Sequence, residues 1–292
     1  MTLPSDTRRE KESQEDFLAR LREKYEGRAT MARMLKAAVE RDPEKTALVD
    51  GTGRRLSYRQ MGQDVAALAG GLRDHGIGTG DRVAVMMRSH VDYVLAYYAL
   101  ITRGLVIVPL NVRLAAPEVA YVLENSGARA VLGDPEFRPV VDEAVRINGT
   151  DIARFWTADD PAYRRLFEAK PEPWADVLED TLAAIYYTSG TTGKPKGAMI
   201  THLNMTAVGQ QNVEAWYFDD PEVVELEISP LFHVSFQEFG PTIHAVGGTL
   251  VVDNFSPERS LDLIEREGVN AFFAVPSMLI LMRKPIKNGR AT

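Results

Sequence analysis

The residues best suited to chemistry lie in one glycine-rich segment, residues 185–200, which reads IYYTSGTTGKPKGAMI. One apolar, β-like run enters the segment and another leaves it. Between them stand three glycines, four hydroxyl residues and two lysines, namely Gly190, Gly193 and Gly197, Thr188, Ser189, Thr191 and Thr192, and Lys194 and Lys196. This combination of residue types suits the binding of a bulky anion.

Each of these residue types has a physical reason to be there. Glycine permits positive φ and lets the backbone approach an anion closely. Successive backbone N–H groups in such a turn form an anion nest, to which hydroxyl groups add donors. Lysine binds phosphate as a mobile point charge. The segment therefore predicts a polyphosphate cradle, although composition alone also allows a flexible surface hairpin without a ligand.

Two other phosphate-binding patterns do not match. The Walker pattern needs Gly-x-x-x-x-Gly-Lys-Ser/Thr, and no register of this segment supplies it. The dinucleotide fingerprint needs Gly-x-Gly-x-x-Gly directly after a strand, whereas the glycines of residues 76–80 miss this spacing and precede a strand. A dinucleotide-binding oxidoreductase is therefore a weak alternative.

The elements that must position this segment alternate between strand and helix. The predicted strands are 46–50, 55–58, 82–87, 105–110, 129–132, 182–188, 198–200, 223–228, 249–252 and 271–275. The predicted helices are 10–26, 30–41, 57–74, 91–102, 116–124, 202–216, 235–245, 257–267 and 276–283. Such alternation predicts an α/β architecture with mainly parallel sheets that are covered on both faces.

The pattern also predicts a division of the chain. Residues 1–28 form a tail and a surface helix, and residues 29–181 a first α/β subdomain. Within the latter, residues 134–181 are proline-rich and predict an irregular connection with short helices. Residues 182–283 form a second α/β subdomain that begins with the glycine-rich segment, and residues 284–292 a frayed end.

The bulk composition excludes several classes of function. A length of 292 residues with 45% hydrophobic content suffices for a substantial core. A net charge of −7 gives no general attraction to nucleic acid or anionic lipid. The absence of cysteine excludes disulfides and thiolate metal sites. With neither a signal-peptide pattern nor an apolar run of about 20 residues, the sequence predicts a soluble cytoplasmic protein.

Residues 188–197 closely resemble the phosphate-loop signature of the adenylate-forming superfamily, the AMP-dependent synthetases and ligases. This superfamily includes acyl-CoA synthetases, firefly luciferase and the adenylation domains of peptide synthetases. Further segments resemble it in the same order, namely 50–60, 80–85, 104–132, 230–234 and 275–278. The resemblance runs from about residue 29 to about residue 281, nearly the whole chain.

The resemblance implies a fold and a reaction. The fold is two stacked, mainly parallel sheets flanked by helices. In the reaction a carboxylate attacks the α-phosphate of Mg-ATP to give an acyl-adenylate and pyrophosphate, and the thiol of CoA then displaces AMP. The residues implied to hold the phosphates are Thr188, Ser189, Gly190, Thr191, Thr192, Gly193, Lys194, Lys196 and Gly197. Thr188 is also implied to lie near Mg²⁺.

The resemblance also places the carboxylic acid. His233 is implied to act catalytically at the mouth of a pocket that includes Phe232, Ser235 and Phe236. The other interpretation of His233 is a histidine at a strand end, bonded to backbone, and the helix after it could simply pack in the core. Amino-acid-activating relatives have Phe-Asp-x-Ser here, but this chain has no acid between Phe232 and Ser235. A fatty or aryl acid is therefore expected.

The 292 residues lack four features that the resemblance implies. These are the motif that stacks adenine, the aspartate that holds the ribose, the hinge, and the small C-terminal lid domain with its lysine. We therefore expect a truncated acyl-CoA synthetase that is inactive or nearly so and that self-associates through uncovered surfaces. The alternative is a non-catalytic derivative of the fold that binds a nucleotide or a partner protein.

Overall fold

The computed structural model describes residues 13–149, 152, 154–188, 194–216 and 220–287, with side chains described as far as residue 283. Its helices are Gln14–Lys24 (α1), Met31–Arg41 (α2), Tyr58–Asp74 (α3), Val91–Ile101 (α4), Ala116–Ser126 (α5), Arg138–Asn148 (α6), Pro161–Leu166 (α7), His202–Trp216 (α8), Val234–Val246 (α9), Pro257–Glu267 (α10) and Pro276–Lys287 (α11). Its strands are Thr46–Asp50 (β1), Arg55–Ser57 (β2), Arg82–Met86 (β3), Val106–Pro109 (β4), Ala128–Gly133 (β5), Arg154–Thr157 (β6), Leu182–Thr188 (β7), Lys196–Thr201 (β8), Val224–Glu227 (β9), Thr249–Val252 (β10) and Ala271–Phe273 (β11).

The strands form two sheets, which confirms the predicted α/β class. One sheet has the order β11-β9-β10-β1-β2, and the other the order β6-β5-β3-β4-β7-β8. The pairs are parallel except for β1 with β2 and β7 with β8. Both antiparallel pairs are hairpins, as expected for strands joined by a short turn.

Helix α4 lies between the two sheets. All of its residues are buried, and it contacts β1 of one sheet and β3 and β4 of the other. An apolar surface all round a helix is typical of such a position. The same core includes residues from both sheets, among them Leu48 and Leu250 of the first and Val83 and Ile107 of the second. No helix in the described part of the chain is long and apolar enough to cross a bilayer.

Local sequence explains where several helices begin. The Thr30 hydroxyl accepts a hydrogen bond from the backbone N–H of Arg33 and so caps α2. Ser57 and Gln60 form a reciprocal capping box at the start of α3. Such side-chain acceptors satisfy N–H groups that have no partner inside the helix.

The prediction for residues 134–181 was partly wrong. This segment contains an 11-residue helix, α6, and an additional strand, β6, which pairs with β5 at the edge of the six-stranded sheet. Proline lies near the start of α6, where its missing N–H is not needed. The predicted helices are therefore present, with proline in the first turn of α6 and of α7, and the element that the sequence did not predict is the strand β6.

The sheets do not follow the predicted boundary between residues 181 and 182. Strands β7 and β8 extend the sheet formed by β3 to β6, while β1 and β2 extend the sheet formed by β9 to β11. At the other end, residues 284–287 continue α11 instead of fraying, even though Pro285 lies in that helix. Residues 1–12 and 288–292 lie outside the described residues.

Candidate active site

The glycine-rich segment is the turn of the β7–β8 hairpin. Thr188, the last residue of β7, pairs with Lys196, the first of β8, and Tyr187 pairs with Gly197. Lys196 and Gly197 therefore belong to a strand, and Thr188, Lys194 and Lys196 are all exposed. The remaining predicted phosphate-binding residues, Ser189, Gly190, Thr191, Thr192 and Gly193, lie outside the described residues.

Gly197 is required by a close approach within the hairpin. A Cβ atom at this position would lie 2.7 Å from Cγ2 of Ile185 and 3.2 Å from Cζ of Tyr187. Ile185 is buried, so its methyl group has little room to move. The lack of a side chain at Gly197 thus lets the two strands pack beside the turn, and positive φ has no part in this.

A cavity of about 400 Å³ lies beside the turn and brings two distant predicted groups together. It is lined by residues after β4, by the end of β7, by Pro195, by α5 and by residues that precede α9: Pro109, Leu110, Asn111, Leu114, Glu118, Val122, Tyr186, Tyr187, Thr188, Pro195, Phe232 and His233. Because β4 and β7 are parallel, their carboxyl ends meet at one edge of the sheet. Ligands bind at such edges in α/β folds.

The predicted acid-pocket residues occupy different places. Phe232 and His233 line the cavity, whereas Ser235 and Phe236 are not among its described lining residues. Phe236 is fully buried, with its ring edge-to-face against Tyr93 at 5.8 Å and Tyr97 at 5.0 Å between centroids. Its surroundings are those of a core residue, as in the alternative interpretation that the helix after His233 packs in the core.

His233 is the residue immediately before α9. Its backbone N–H donates to the carbonyl of Pro230, and its ring lies beside that of Phe232, with centroids 4.6 Å apart. Partial burial, together with the positive charge of Arg113, lowers the pKa of the His233 imidazole. The lowered pKa favours the neutral imidazole, which can accept or donate a hydrogen bond at the cavity wall.

The other histidines have structural partners. His244 is fully buried between the hydroxyl of Tyr98, 2.7 Å from Nδ1, and the carbonyl of Ala47, 3.0 Å from Nε2. His90 Nε2 lies 2.9 Å from a carboxylate oxygen of Asp134. No group of three or more metal-binding side chains occurs within the described ranges.

The donors present fit Mg²⁺ only as part of a nucleotide complex. Thr188 offers a single hydroxyl oxygen, and Glu118 is the carboxylate in the cavity lining. Mg²⁺ commonly uses one or two protein oxygens together with substrate phosphates and water. Thr188 and Glu118 would therefore supply only part of an Mg²⁺ coordination shell.

The cavity also contains residues that the sequence analysis did not single out as site residues. Leu110, Asn111 and Leu114 follow β4, while Glu118 and Val122 come from α5. Two signals pointed to this region, namely the carboxyl end of a predicted parallel strand and the resemblance of residues 104–132. That these residues line the same cavity as Thr188 depends on the pairing of β4 with β7, more than 70 residues later in the chain.

Comparison with known proteins supports this picture. A family model for AMP-binding enzymes matches residues 35–291. Feruloyl-CoA synthase of an Amycolatopsis species is 36% identical over 242 residues, which cover 81% of this chain and 46% of that protein. A long-chain-fatty-acid–CoA ligase of Mycobacterium tuberculosis is 34% identical over 265 residues, which cover 88% of this chain and 50% of that protein. The chain thus spans about half the length of these relatives.

The fold is shared with solved structures as well. ATP-bound MatB from Rhodopseudomonas palustris superposes with a TM-score of 0.78 at 26% identity, over 87% of this chain and 51% of that one. The family match spans most of the sequence. The matched residues, 35–291, include the first strands of the chain, β1 and β2, and the glycine-rich β7–β8 hairpin. The chain therefore belongs to the AMP-binding enzyme family, as the resemblance of residues 188–197 indicated.

Proposed function

We propose that this chain supplies the triphosphate-binding part, and one wall of the acid pocket, of an ATP-dependent acyl-CoA synthetase. The observation that carries the proposal is the single cavity that joins Thr188 and Pro195 of the glycine-rich hairpin to Phe232 and His233. A phosphate and a carboxylate must meet in one place for an acyl-adenylate to form. The cavity volume of about 400 Å³ lies within the usual range for small-molecule sites.

In the proposed first step, a carboxylate oxygen of the acid attacks the α-phosphorus of ATP, the bond to the β-phosphate breaks, and pyrophosphate leaves. Thr188, Lys194, Lys196 and the turn residues 189–193 hold the β- and γ-phosphates. Their charge and donors neutralise the leaving group and orient it for in-line displacement. Thr188 would hold Mg²⁺ together with phosphate oxygens, and this ion supplies further charge neutralisation.

His233 is positioned to orient the carboxylate of the acid. Burial and Arg113 lower the pKa of its imidazole, which favours the neutral form, and that form can donate one hydrogen bond to the carboxylate. In the second step, the sulfur of CoA attacks the acyl carbon and AMP leaves. The acceptor CoA and the cytoplasmic location are part of the proposal, supported by the names of the relatives and by the absence of cysteine.

The acid itself is proposed to be fatty or aryl. The cavity lining near His233 includes Leu110, Leu114, Val122 and Phe232, and its carboxylate, Glu118, belongs to α5. The segment from Phe232 to Ser235 has no acidic residue that could hold a substrate amine. Relatives named for feruloyl-CoA and long-chain fatty acids agree with this class.

Nucleotide binding by the 292-residue polypeptide tests the triphosphate site. We predict that Mg-ATP binds in isothermal titration and that Lys196→Ala weakens the affinity by about 10- to 100-fold, the loss expected for one charge-assisted contact. Lys170→Ala, which removes an exposed lysine far from the hairpin in sequence, is the control and should leave the affinity unchanged. Absence of binding by the parent polypeptide would favour a non-catalytic derivative.

We also propose that these 292 residues alone do not complete the reaction. The motifs for adenine and ribose and the lid lysine that the family resemblance implies are not among them. ATP–pyrophosphate exchange should therefore stay at background with cinnamic acids and with fatty acids of several lengths. Exchange above background with any of these acids would overturn this part of the proposal.

A further inference from the structure

Helix α5 contacts both stems of the glycine-rich hairpin. On the outgoing stem, the Tyr121 hydroxyl donates to the carbonyl of Pro195 at 3.0 Å, and the Lys194 ammonium lies 5.2 Å from the centre of the Tyr121 ring. On the incoming stem, the Tyr187 hydroxyl donates to Oδ1 of Asn125 at 2.7 Å. The rings of Tyr121 and Tyr187 also meet edge-to-face at 6.4 Å.

The spacing of these contacts on the helix is regular. Tyr121 and Asn125 are four residues apart, so they lie one above the other on the same face of α5. Each holds one side of the same turn. Strand pairing by itself fixes the hairpin only up to Thr188 and Lys196. The contacts to Lys194 and Pro195 extend the fixed region beyond the last paired residue.

This anchoring has a physical purpose for a glycine-rich turn. Glycine residues lose the most conformational entropy when a ligand orders them. If the stem of the hairpin is already fixed before the ligand binds, less conformational entropy is lost during binding. Residues 116–126 are also held in place from behind, because Val119, Val122 and Leu123 are buried in the core below the six-stranded sheet.

We propose that Tyr121 and Asn125 are positioning residues that clamp both stems of the glycine-rich hairpin and so set the place of Lys194 and Lys196. The clamp itself rests only on the contacts of α5. Its effect on nucleotide affinity rests on the proposed function. Neither residue touches the reacting atoms, since they act through Pro195 and Tyr187.

Hydrogen–deuterium exchange of the nucleotide-free 292-residue polypeptide tests the clamp. Tyr121→Phe removes the bond to Pro195 but keeps the ring, and Asn125→Leu removes the acceptor for Tyr187. Each should speed exchange of the amides of residues 194 and 196–199 by about fivefold, the factor that corresponds to one neutral hydrogen bond. Asn125→Asp keeps an acceptor oxygen and should restore the parent rate.

A matched control removes a hydroxyl elsewhere. The Tyr163 hydroxyl is buried and has no hydrogen-bond partner among the described residues, so Tyr163→Phe should leave exchange at residues 194 and 196–199 unchanged. Unchanged exchange in both Tyr121→Phe and Asn125→Leu would overturn the clamp. The clamp would also be overturned if Asn125→Asp and Asn125→Leu changed the exchange rate equally, because the argument depends on the acceptor oxygen that only Asn125→Asp keeps.

Mg-ATP titration of the same variants separates the clamp from the nucleotide site. If the clamp acts on binding, Tyr121→Phe and Asn125→Leu weaken affinity by about threefold to tenfold, while their unfolding midpoints stay near that of the parent. Faster exchange with no nucleotide binding in any variant would support the clamp and contradict the proposed function. Nucleotide binding together with unchanged exchange in Tyr121→Phe and Asn125→Leu would support the proposed function and contradict the clamp.

Discussion

Two glutamates on β9 are buried without full hydrogen bonding. Glu225 and Glu227 are 1% and 0% exposed, and they share one face of the strand because side chains alternate. Their Oε2 atoms have no hydrogen-bond partner among the described residues, whereas Oε1 of Glu227 accepts from the backbone N–H of Ser229 at 2.8 Å. Burial raises the pKa of Glu225 far above its usual range and that of Glu227 to about 7.

The titration of Glu227 predicts a pH effect on stability. An acid whose pKa is raised in the folded state binds more protons when folded, so its contribution is fully present below the ordinary carboxyl pKa of 4.5 and is lost as pH rises through about 7. The contribution of Glu227 to the free energy of unfolding should fall by up to about 1.4 kcal/mol for each pH unit in this window. Glu225, whose pKa is also raised, acts in the same direction. Urea unfolding at a series of pH values from 4.5 to 8 measures this slope.

Other buried groups act in the opposite direction. Burial lowers the pKa of His202 and His244 to about 4, so their contribution grows as pH rises from 4 to their ordinary value of 6.5. Glu227→Gln should show a shallower slope than the parent, because it removes the titration of Glu227 and also the charge that helps to raise the pKa of Glu225. Glu265→Gln, at an exposed position, is the control. Identical slopes in the parent and in Glu227→Gln would contradict the prediction.

At the residue scale, the local run of glycine, hydroxyl and lysine residues was enough to indicate the family, which the match over residues 35–291 shows. The binding of phosphate by these residues stays a prediction. The run could not indicate that Tyr121 contacts Pro195, because the two are 74 positions apart and meet only through sheet pairing. It also could not separate Phe232, which lines the cavity, from Phe236, which packs against Tyr93.

At the level of elements, the close packing inside the β7–β8 hairpin predicts the effect of a substitution at Gly197. In Gly197→Ala the new methyl group would lie 2.7 Å from Cγ2 of the buried Ile185, so the strands must separate. Overpacking of this kind costs about 1–3 kcal/mol. We therefore expect a lower free energy of unfolding in urea and weaker Mg-ATP binding, because the turn shifts with its stem.

The control for this substitution is another glycine with free space. Nothing lies within 4 Å of a Cβ atom added at Gly78, and its φ is not positive. Gly78→Ala should therefore change neither stability nor affinity by a measurable amount. Equal stability of Gly197→Ala and Gly78→Ala would show that the hairpin tolerates the extra methyl group and would contradict the argument.

The elements themselves were predictable to different degrees. Helix α4 and the strands on each side of it are strongly apolar, so their type followed from sequence. Strand β6 is short, carries a tryptophan and an arginine, and pairs only with β5 at the sheet edge. Phe155, Trp156 and Thr157 are residue types common in strands, but four residues are too short for a periodic pattern, and the strand forms by pairing with β5.

At the scale of the whole molecule, large apolar side chains are exposed near the C-terminal end of the described chain. They are Phe272, Phe273, Val275, Leu279, Ile280 and Leu281. They extend from β11, which pairs only with β9 and so presents its other edge, onto α11. Contiguous apolar surface next to an unpaired strand edge favours association with another chain.

We predict that the 292-residue polypeptide self-associates through this surface. Ile280 is 61% exposed, so Ile280→Glu should place a charge in the interface without disturbing the core. Multi-angle light scattering should show a mass above 32.4 kDa that rises with concentration for the parent and approaches the monomer mass for the variant. Ile147→Glu, at a 44% exposed isoleucine on α6, should associate like the parent. A parent that stays monomeric at every concentration, or an Ile147→Glu variant that dissociates as readily as Ile280→Glu, would show that this surface does not drive association.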